Sequence, residues 1–252
     1  MIGINNIGGI MMNWKERLKI YYDAEFTGLT QDTSLISIGL KSESGSYFYA
    51  EFTDYNKENL SSWIIENVIG NLIMKEDKEV IKIMNLDGSE VDIVKRAEAS
   101  PYSLMIKGTK QFVAERLIDW MKNESDIATK KIQIYCDCYA YDWVLFNTIA
   151  SKEGNALNIP DFIDYIPIDL STALKLHNID PDINREQYIG TEVVENISND
   201  IPFSNWKSQT NIIKHNSLWD AYVCQACFKK VESEHLSEPD VLGNIMDEQI
   251  PE

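Results

Sequence analysis

Near its start, the chain alternates stretches of aromatic and β-branched residues with short polar turns. Such residues favour the pleated, half-buried backbone of strands. They predict three strands, at residues 18–26, 33–40 and 46–52. Because the connections between them are short, the three strands are expected to form an antiparallel meander.

One hairpin pattern and several stretches of helical periodicity follow the meander. Residues 79–94 place Asp87 and Gly88 between alternating apolar positions, which is the pattern of a β-hairpin. Residues 131–139 have the composition of a buried strand. Helices are predicted at 57–73, 107–122, 141–150, about 169–177 and about 218–231. This order of elements predicts an α/β fold with one domain around a mixed sheet.

The composition limits the partners of the chain. With 252 residues, of which 44% are hydrophobic, the chain can bury one sizeable core. Its net charge of −17 repels phosphate backbones and anionic lipids, which argues against broad-surface binding of nucleic acid and against membrane docking. Four cysteines are too few for a disulfide scaffold, and the apolar start lacks the basic flank of a signal peptide. A cytoplasmic protein is therefore expected.

Three units are predicted along the chain. Residues 1–17 are an N-terminal extension, and residues 18–232 are the folded domain, in which 79–94 are a hairpin insertion. Residues 233–252 contain six acidic residues and neither Lys nor Arg, so they are expected to form a disordered acidic tail. Without this tail the net charge is still −11.

Asp23 and Glu25 are the first residues that suggest chemistry. They stand two apart in the first predicted strand, so alternation places both carboxylates on one face. Adjacent carboxylates at the end of a buried strand repel each other unless a cation lies between them. Hard oxygen ligands of this kind suit Mg²⁺ or Mn²⁺. The alternative is an ordinary solvated face, which is the better interpretation of this pair taken alone.

Asp142 is the second candidate. It follows the strand predicted at 131–139 and starts an apolar helix, where the helix dipole alone also favours a carboxylate. Asp137 is a rival, although alternation places its side chain on the face opposite to Cys136 and Cys138. Asp142 is therefore preferred as the acid that this region contributes.

The third candidate is the segment from His215 to Asp220. Ser217 and Asp220 have the spacing of a capping box, which would start the last helix and hold Asp220 rigidly in its first turn. His215 would then lie on the preceding loop, near a water molecule on a metal bound by Asp220. Four carboxylates can hold two divalent cations that clamp the oxygens of a phosphodiester, and a His is suited to be the general base.

In this order, the three segments resemble the motifs of a known enzyme family. Residues 23–29, Asp-Ala-Glu-Phe-Thr-Gly-Leu, are similar to the first motif of the DEDD superfamily of 3′→5′ exonucleases. Asp142 matches the second motif, and residues 215–220 match the third motif of the His-containing DEDDh subclass. The resemblance implies a ribonuclease H-like fold, with a mixed five-stranded sheet that begins with three strands and is flanked by helices.

Within the superfamily, the chain is most similar to the RNase AS group of exoribonucleases, which favour adenylate-rich 3′ ends. The shared features are Tyr-Asp-x-Glu-Phe at 22–26, Leu-Ile-Ser-Ile-Gly at 35–39 and Ala-Tyr-Asp at 140–142. The resemblance extends over residues 19–231. It implies a cytoplasmic enzyme that hydrolyses single-stranded RNA from the 3′ end and releases nucleoside 5′-monophosphates.

The resemblance also implies a role for each matched residue. Asp23, Glu25 and Asp220 would bind the first of two Mg²⁺ or Mn²⁺ ions, and Asp142 and Asp23 would bind the second. His215 would take the proton of the attacking water. These five residues are the expected catalytic and metal-binding set.

Three further residues would form the pocket for the terminal nucleotide. By resemblance, Phe26 and Leu29 would line this pocket, and Thr27 would contact the ribose. For Phe26 and Leu29, plain packing into the core is an alternative of similar weight. The hairpin at 79–94 departs from the family pattern, and it could serve as a lid or as the contact of a homodimer.

The four cysteines offer a separate possibility. Cys136 and Cys138 share a strand face, and Cys224 and Cys227 have helical spacing, so four thiolates could bind zinc. Buried free thiols are the more common outcome for such pairs. The preferred expectation is therefore no zinc site.

Two other functions remain open at the level of sequence. A DNA exonuclease with the same chemistry would use the same motifs, since the contact to the sugar is not visible in the sequence. A non-enzymatic acidic interaction protein would need none of the three motifs in this order.

Overall fold

The chain forms one mixed sheet with helices on both faces, in a computed structural model that describes residues 17–58, 60–74, 76, 78–91, 100–151, 155, 158–200, 202–206 and 214–235. Within these residues the strands are β1 (Leu18–Phe26), β2 (Leu35–Ser42), β3 (Tyr47–Phe52), β4 (Val80–Met84), β5 (Glu90–Val91), β6 (Ser103–Gly108), β7 (Ile132–Cys136) and β8 (Ile168–Asp169). The helices are α1 (Ser62–Asn67), α2 (Lys110–Ala128), α3 (Tyr139–Ala150), α4 (Leu170–Leu176), α5 (Arg185–Ile189), α6 (Thr191–Asn199), α7 (Phe203–Trp206) and α8 (Ser217–His235). A 3-10 turn, Ile69–Asn71, follows α1.

The strands of the described residues lie in the order β5-β4-β6-β3-β2-β1-β7-β8. The predicted α/β fold with a mixed sheet is confirmed, and β1, β2 and β3 form the predicted antiparallel meander. β7 runs parallel to β1, β8 to β7, and β6 to β3. Because the neighbouring strands β1 and β7 are parallel, their carboxyl ends lie side by side. Open α/β sheets form their ligand sites at the carboxyl ends of their strands.

The number of strands differs from the expected five, since the described sheet has eight. β4 and β5 pair around Asp87 and Gly88, at the place of the predicted hairpin, and β4 also pairs with β6. The pair is thus an edge of the main sheet and not a separate flap. Strand β6 was not predicted, because its short apolar run lacks the alternation of a half-buried strand.

Several helix boundaries also differ from prediction. The helix predicted at 107–122 starts later and ends later, because residues up to Gly108 belong to β6 and Thr109 caps α2 by accepting the Phe112 N–H at 3.4 Å. The described residues of the range 57–73 contain only the short α1 and the 3-10 turn. No described helix has both the length and the apolar character needed to cross a membrane.

The two ends of the predicted domain lie at the limits of the described residues. Of the predicted N-terminal extension, only Arg17 is described, and its guanidinium forms an ion pair with Asp164 at 2.6 Å. Of the predicted acidic tail, residues 233–235 continue α8, and residues 236–252 lie outside the described part.

Each face of the sheet covers its own core, and β1 contributes to both. Its even-numbered residues, such as Tyr22, pack with α2 and α3, where the Tyr22 and Phe146 rings lie 5.2 Å apart. Its odd-numbered residues face α8, where the Tyr21 and Phe228 rings lie 6.0 Å apart. Alternation along β1 therefore directs Asp23 toward the side of the sheet that α8 covers.

A close approach at Gly39 sets the position of α8. Gly39 pairs with Asp23 across β1 and β2. A Cβ atom at Gly39 would lie 2.3 Å from the backbone carbonyl of Ser217 and 2.3 Å from the Leu218 nitrogen, which is far inside van der Waals contact. The absence of a side chain here allows the first turn of α8 to lie directly on β2, beside Asp23.

Candidate active site

A cavity of about 850 Å³ opens at the carboxyl ends of β1 and β7, beside the first turns of α3 and α8. The five predicted catalytic residues all line it; they are Asp23, Glu25, Asp142, His215 and Asp220. They come from one strand, two helices and a loop that span nearly two hundred residues of sequence. The fold therefore brings together the three segments that the sequence analysis singled out.

Strand β1 positions two of the carboxylates. Asp23 pairs with Gly39 and Glu25 pairs with Ser37, so both acids stand on one face at the end of the strand. A register shift between Glu25 and Phe26 ends this regular pairing. The expectation that Asp23 and Glu25 share a face is met by the pairing of β1.

Helix α3 supplies the third carboxylate. Asp142 is buried, and its Oδ2 accepts the backbone N–H of Cys138 at 3.2 Å, so it caps the helix as well as facing the cavity. The rival Asp137 also lines the cavity, but its two oxygens accept N–H groups of Arg185 at 2.7 Å each. Ser171 donates a further hydrogen bond to Asp137 at 3.2 Å. Asp137 is thus held in an ion pair with Arg185, whereas Asp142 accepts hydrogen bonds from backbone N–H groups.

The start of α8 differs from the predicted capping box. Asn216, not Ser217, caps the helix, because its Oδ1 accepts the N–H groups of Leu218 at 3.1 Å and Trp219 at 3.4 Å. Ser217 is the first helical residue, and its hydroxyl lies 3.0 Å from that of Ser37 on β2. Sequence spacing alone did not distinguish two adjacent residues that can both cap a helix.

His215 lies on the loop before this cap in a left-handed conformation, with φ of 62°. This region disfavours a residue with a Cβ atom by roughly 1–2 kcal/mol. Its N–H donates to Asp220 Oδ2 at 3.1 Å, and its ring packs edge-on against Trp63 with centroids 4.9 Å apart. Non-glycine residues in this conformation often mark functional sites, where surrounding contacts hold them in place.

Three of these side chains are close enough to share a cation. The ligand atoms of Glu25, His215 and Asp220 lie within 4.8 Å of one another. The expected assignment has Asp23 in the first metal set and His215 outside it, whereas this group contains His215. No protein-family model matches the chain, and no curated protein matches its sequence. The function of the site is therefore proposed from its residues.

The electrostatics of the cavity disfavour charged carboxylates. Burial raises the pKa of Asp23, Asp142 and Asp220 well above the usual range of an Asp, and neighbouring carboxylates raise it further. Burial raises the pKa of Glu25 to about 7. Burial and the nearby Lys214 lower the pKa of His215. A bound cation would relieve the repulsion that these acids exert on one another.

The three residues predicted to contact the terminal nucleotide differ in their position relative to the cavity. Leu29 lines the cavity with 72% of its surface exposed, so core packing does not explain it. Phe26 lines the cavity and also stacks on Tyr141, with ring centroids 5.4 Å apart. The Thr27 hydroxyl accepts the Ser34 N–H at 3.0 Å, and Thr27 is not among the described residues that line the cavity. The arrangement therefore gives the ribose contact predicted for Thr27 no support.

Several polar or aromatic residues of the cavity wall were not indicated by the sequence, among them Trp63, Arg185, Glu186 and Lys214. Trp63 stands outside the apolar stripe of its predicted helix, which was a usable signal. Arg185 and Glu186 fall in a polar region without periodicity, so no local pattern marked them. The Trp219 indole N–H fixes Glu186 by donating to its Oε1 at 2.9 Å.

The cysteines give no sign of a zinc site. Cys136, Cys224 and Cys227 are buried, Cys138 is exposed, and all four are free thiols. All four belong to the described residues, among which they do not form a group with metal-ligand spacing. Burial raises the pKa of the Cys136 and Cys224 thiols, which keeps them protonated and apolar in character.

The raised carboxyl pKa values predict an unusual pH dependence of stability. In the folded state Glu25 keeps its proton up to about pH 7, whereas in the unfolded chain it releases it near 4.5. The folded state therefore binds more protons in this window, and the metal-free protein loses stability as the pH rises through it. The lowered pKa of His215 has the opposite effect on the pH dependence of stability, but it is a single group, whereas four carboxyls have raised pKa values.

Thermal unfolding in a chelator between pH 5 and 8 measures this effect. We expect the melting temperature to fall across the window and Glu25→Gln to flatten the slope. Glu195→Gln, at an exposed position on α6, is the matched control and leaves the slope as it is. A wild-type melting temperature that rises steadily from pH 5 to 8 would contradict the prediction.

Proposed function

We propose that the protein is a metal-dependent 3′→5′ exoribonuclease of the DEDDh type. It hydrolyses single-stranded RNA from the 3′ end and releases nucleoside 5′-monophosphates. The observation that carries the proposal is the convergence of Asp23, Glu25, Asp142, Asp220 and His215 on one cavity. A solvated acidic face or isolated helix caps would not require these five residues to meet.

The arrangement of the sheet supports a ribonuclease H-like core. Strands β3, β2 and β1 are antiparallel neighbours, and β7 and β8 continue the sheet in parallel with β1. These five strands include three consecutive leading strands, and the set contains both parallel and antiparallel neighbours, as the resemblance implies. On this proposal, β4, β5 and β6 extend the β3 edge of the core.

The donor set fits two divalent cations. Four carboxylates offer hard oxygen ligands of the kind that Mg²⁺ and Mn²⁺ prefer. Burial raises their pKa values, and for the three Asp residues repulsion from neighbouring carboxylates, which cations would relieve, raises them further. Glu25 and Asp220 would hold one ion, and Asp142 the other, with Asp23 between them. When bound, such ions polarise the phosphate and stabilise the charge that develops on the attacking and leaving oxygens.

The remaining residues bind the substrate and move a proton. His215 accepts the proton of the attacking water, for which its lowered pKa keeps the imidazole neutral. Phe26 and the half-exposed Trp63 present aromatic rings to the cavity, on which bases stack without a requirement for sequence. The net charge of −17 favours a short single-stranded end over a long duplex as the substrate.

The proposal is tested with 5′-labelled oligonucleotides of matched RNA and DNA sequence in Mn²⁺. We expect stepwise shortening of the RNA and release of nucleoside 5′-monophosphates. Faster shortening of the DNA would assign the same chemistry to DNA. If neither substrate is cut and calorimetry detects no Mn²⁺ binding, the protein is not a nuclease of this class.

His215→Ala separates the role of the His as base from a role as metal ligand. As the general base, its loss lowers kcat by about 10²- to 10⁴-fold and leaves the rise in melting temperature caused by Mn²⁺ intact. His177→Ala is the control, because His177 is an exposed residue at the end of α4. Loss of the Mn²⁺ effect together with activity would assign His215 as a ligand.

A further inference from the structure

Residues 61–74, named here the clamp segment, contact the loop that carries His215 at three consecutive residues. The Trp63 ring packs on the His215 ring at 4.9 Å. Asn71 Nδ2 donates to the Lys214 carbonyl oxygen at 2.7 Å, and Asn216 Nδ2 donates to the Asn71 carbonyl oxygen at 3.1 Å. The clamp segment thus holds the residue before His215, His215 itself and the residue after it.

A buried hydrogen-bond network fixes the clamp segment to the sheet. Glu51 on β3 is fully buried, and its Oε1 accepts the N–H groups of Ile73 at 2.7 Å and Met74 at 2.8 Å. The Tyr49 hydroxyl donates to the same oxygen at 2.9 Å and also accepts a hydrogen bond from Asn216 Nδ2 at 3.4 Å. The loop of His215 and the clamp segment are therefore anchored to one strand.

His215 needs such support because of its backbone. Its φ of 62° is unfavourable for a residue with a side chain, so contacts from neighbouring segments are needed to hold this conformation. Asn71 is only 5% exposed, and its amide nitrogen donates both to Lys214 and to the Asn67 carbonyl oxygen at 2.5 Å. Asn71 thereby joins the end of α1, which carries Trp63, to the loop.

We propose that Asn71 is a positioning residue for His215. By holding the Lys214 carbonyl and the turn after α1 together, it keeps the imidazole in contact with Trp63 and directed into the acidic cavity. The catalytic consequence of this role rests on the proposed exonuclease function. The structural consequence, a fixed His215 ring, does not.

NMR of the histidine rings tests the structural consequence without any assay of activity. The chain has three histidines, so the spectrum is simple and His215→Ala assigns the signal of interest. In Asn71→Ala, we expect the His215 ring signals to lose the ring-current shift from Trp63 and to move toward those of an exposed His. Asn67→Ala is the matched control, because its side chain donates a hydrogen bond to the Trp63 carbonyl oxygen within α1, at 2.9 Å, and not to the loop of His215.

Kinetics tests the catalytic consequence. Asn71→Ala is expected to lower kcat by about 10- to 100-fold, since displacement of a catalytic group by about 1 Å has an effect of that size, and to change KM by less than about twofold. In the His215→Ala background the same change is expected to lower kcat by less than about twofold. If Asn71→Ala does not fold, Asn71→Ser, which keeps a hydroxyl donor, replaces it and is expected to give smaller changes in the same direction.

The outcomes distinguish this proposal from the proposed function. Unchanged His215 signals in the Asn71 variant would overturn the positioning role, as would an equal loss of kcat with and without His215. A shifted His215 signal in a protein that cuts neither RNA nor DNA would support the positioning role and overturn the exonuclease.

Discussion

Asp23→Asn is expected to abolish the proposed exonuclease activity and at the same time to stabilise the metal-free protein. Burial raises the pKa of Asp23, and the neighbouring carboxyls of Asp142, Asp220 and Glu25 raise it further. An amide cannot bind the two cations together, and the loss of several kcal/mol of transition-state stabilisation lowers the rate by about 10³-fold or more. Without metal, the neutral amide replaces a carboxyl that its surroundings make costly to ionise at neutral pH.

The two effects of Asp23→Asn are measured separately. Exonuclease rates in Mn²⁺ give the first, and melting temperatures in a chelator at pH 7.5, with and without Mn²⁺, give the second. The melting temperature of the wild type is expected to rise when Mn²⁺ is added. In chelator, the variant is expected to have a higher melting temperature than the wild type. Added Mn²⁺ is expected to raise the melting temperature of the variant less than that of the wild type. Asp182→Asn is the matched control, because Asp182 is an exposed residue of the same cavity wall.

An active Asp23→Asn enzyme would remove Asp23 from the catalytic set. A variant that is less stable than wild type in chelator would show that Asp23 has a favourable partner in the folded state, contrary to the electrostatics described above. The rate and the melting temperature thus report on different parts of the proposal.

Gly39→Ala is expected to have the largest effect on stability. The new Cβ would lie 2.3 Å from backbone atoms of Ser217 and Leu218, and backbone cannot rotate away as a flexible side chain can. Helix α8 must therefore move or the strand must bend, at an expected cost of about 3 kcal/mol or more. For a chain of this size, that cost lowers the melting temperature by roughly 6–12 °C.

Gly70→Ala is the matched control for Gly39→Ala. A Cβ at Gly70 would have its nearest neighbour, the Ile65 carbonyl oxygen, at 3.6 Å, which is an ordinary contact. Its melting temperature is expected to stay close to that of wild type. Equal effects of the two substitutions would show that the contact between α8 and β2 does not determine the stability.

Features that depend on neighbours in sequence were predictable. The alternation of β1 follows from its own residues, and it places Asp23 and Glu25 on one face. The three leading strands, α3, α4 and α8 were likewise visible in the apolar pattern of each segment. The acidity of the chain and the order of its three chemical segments also required no structure.

Features that depend on distant contacts were not predictable from the sequence. Two adjacent residues, Asn216 and Ser217, both suit a helix cap, and the packing of Ser217 against Ser37 on β2 decides between them. Likewise the sequence favoured Asp142 over Asp137, but the ion pair that Arg185 forms with Asp137 was not visible in it.

The sequence by itself determined the acids of the site and the strand and helices that carry them, because periodicity is a local property. The tertiary structure decided which of those acids share a cavity, and it brought Trp63 and Asn71 to His215. Contacts of this kind join residues more than a hundred positions apart, as in the hydrogen bond from Asn71 to the Lys214 carbonyl. Their partners are selected by the packing of whole elements, which no local pattern encodes.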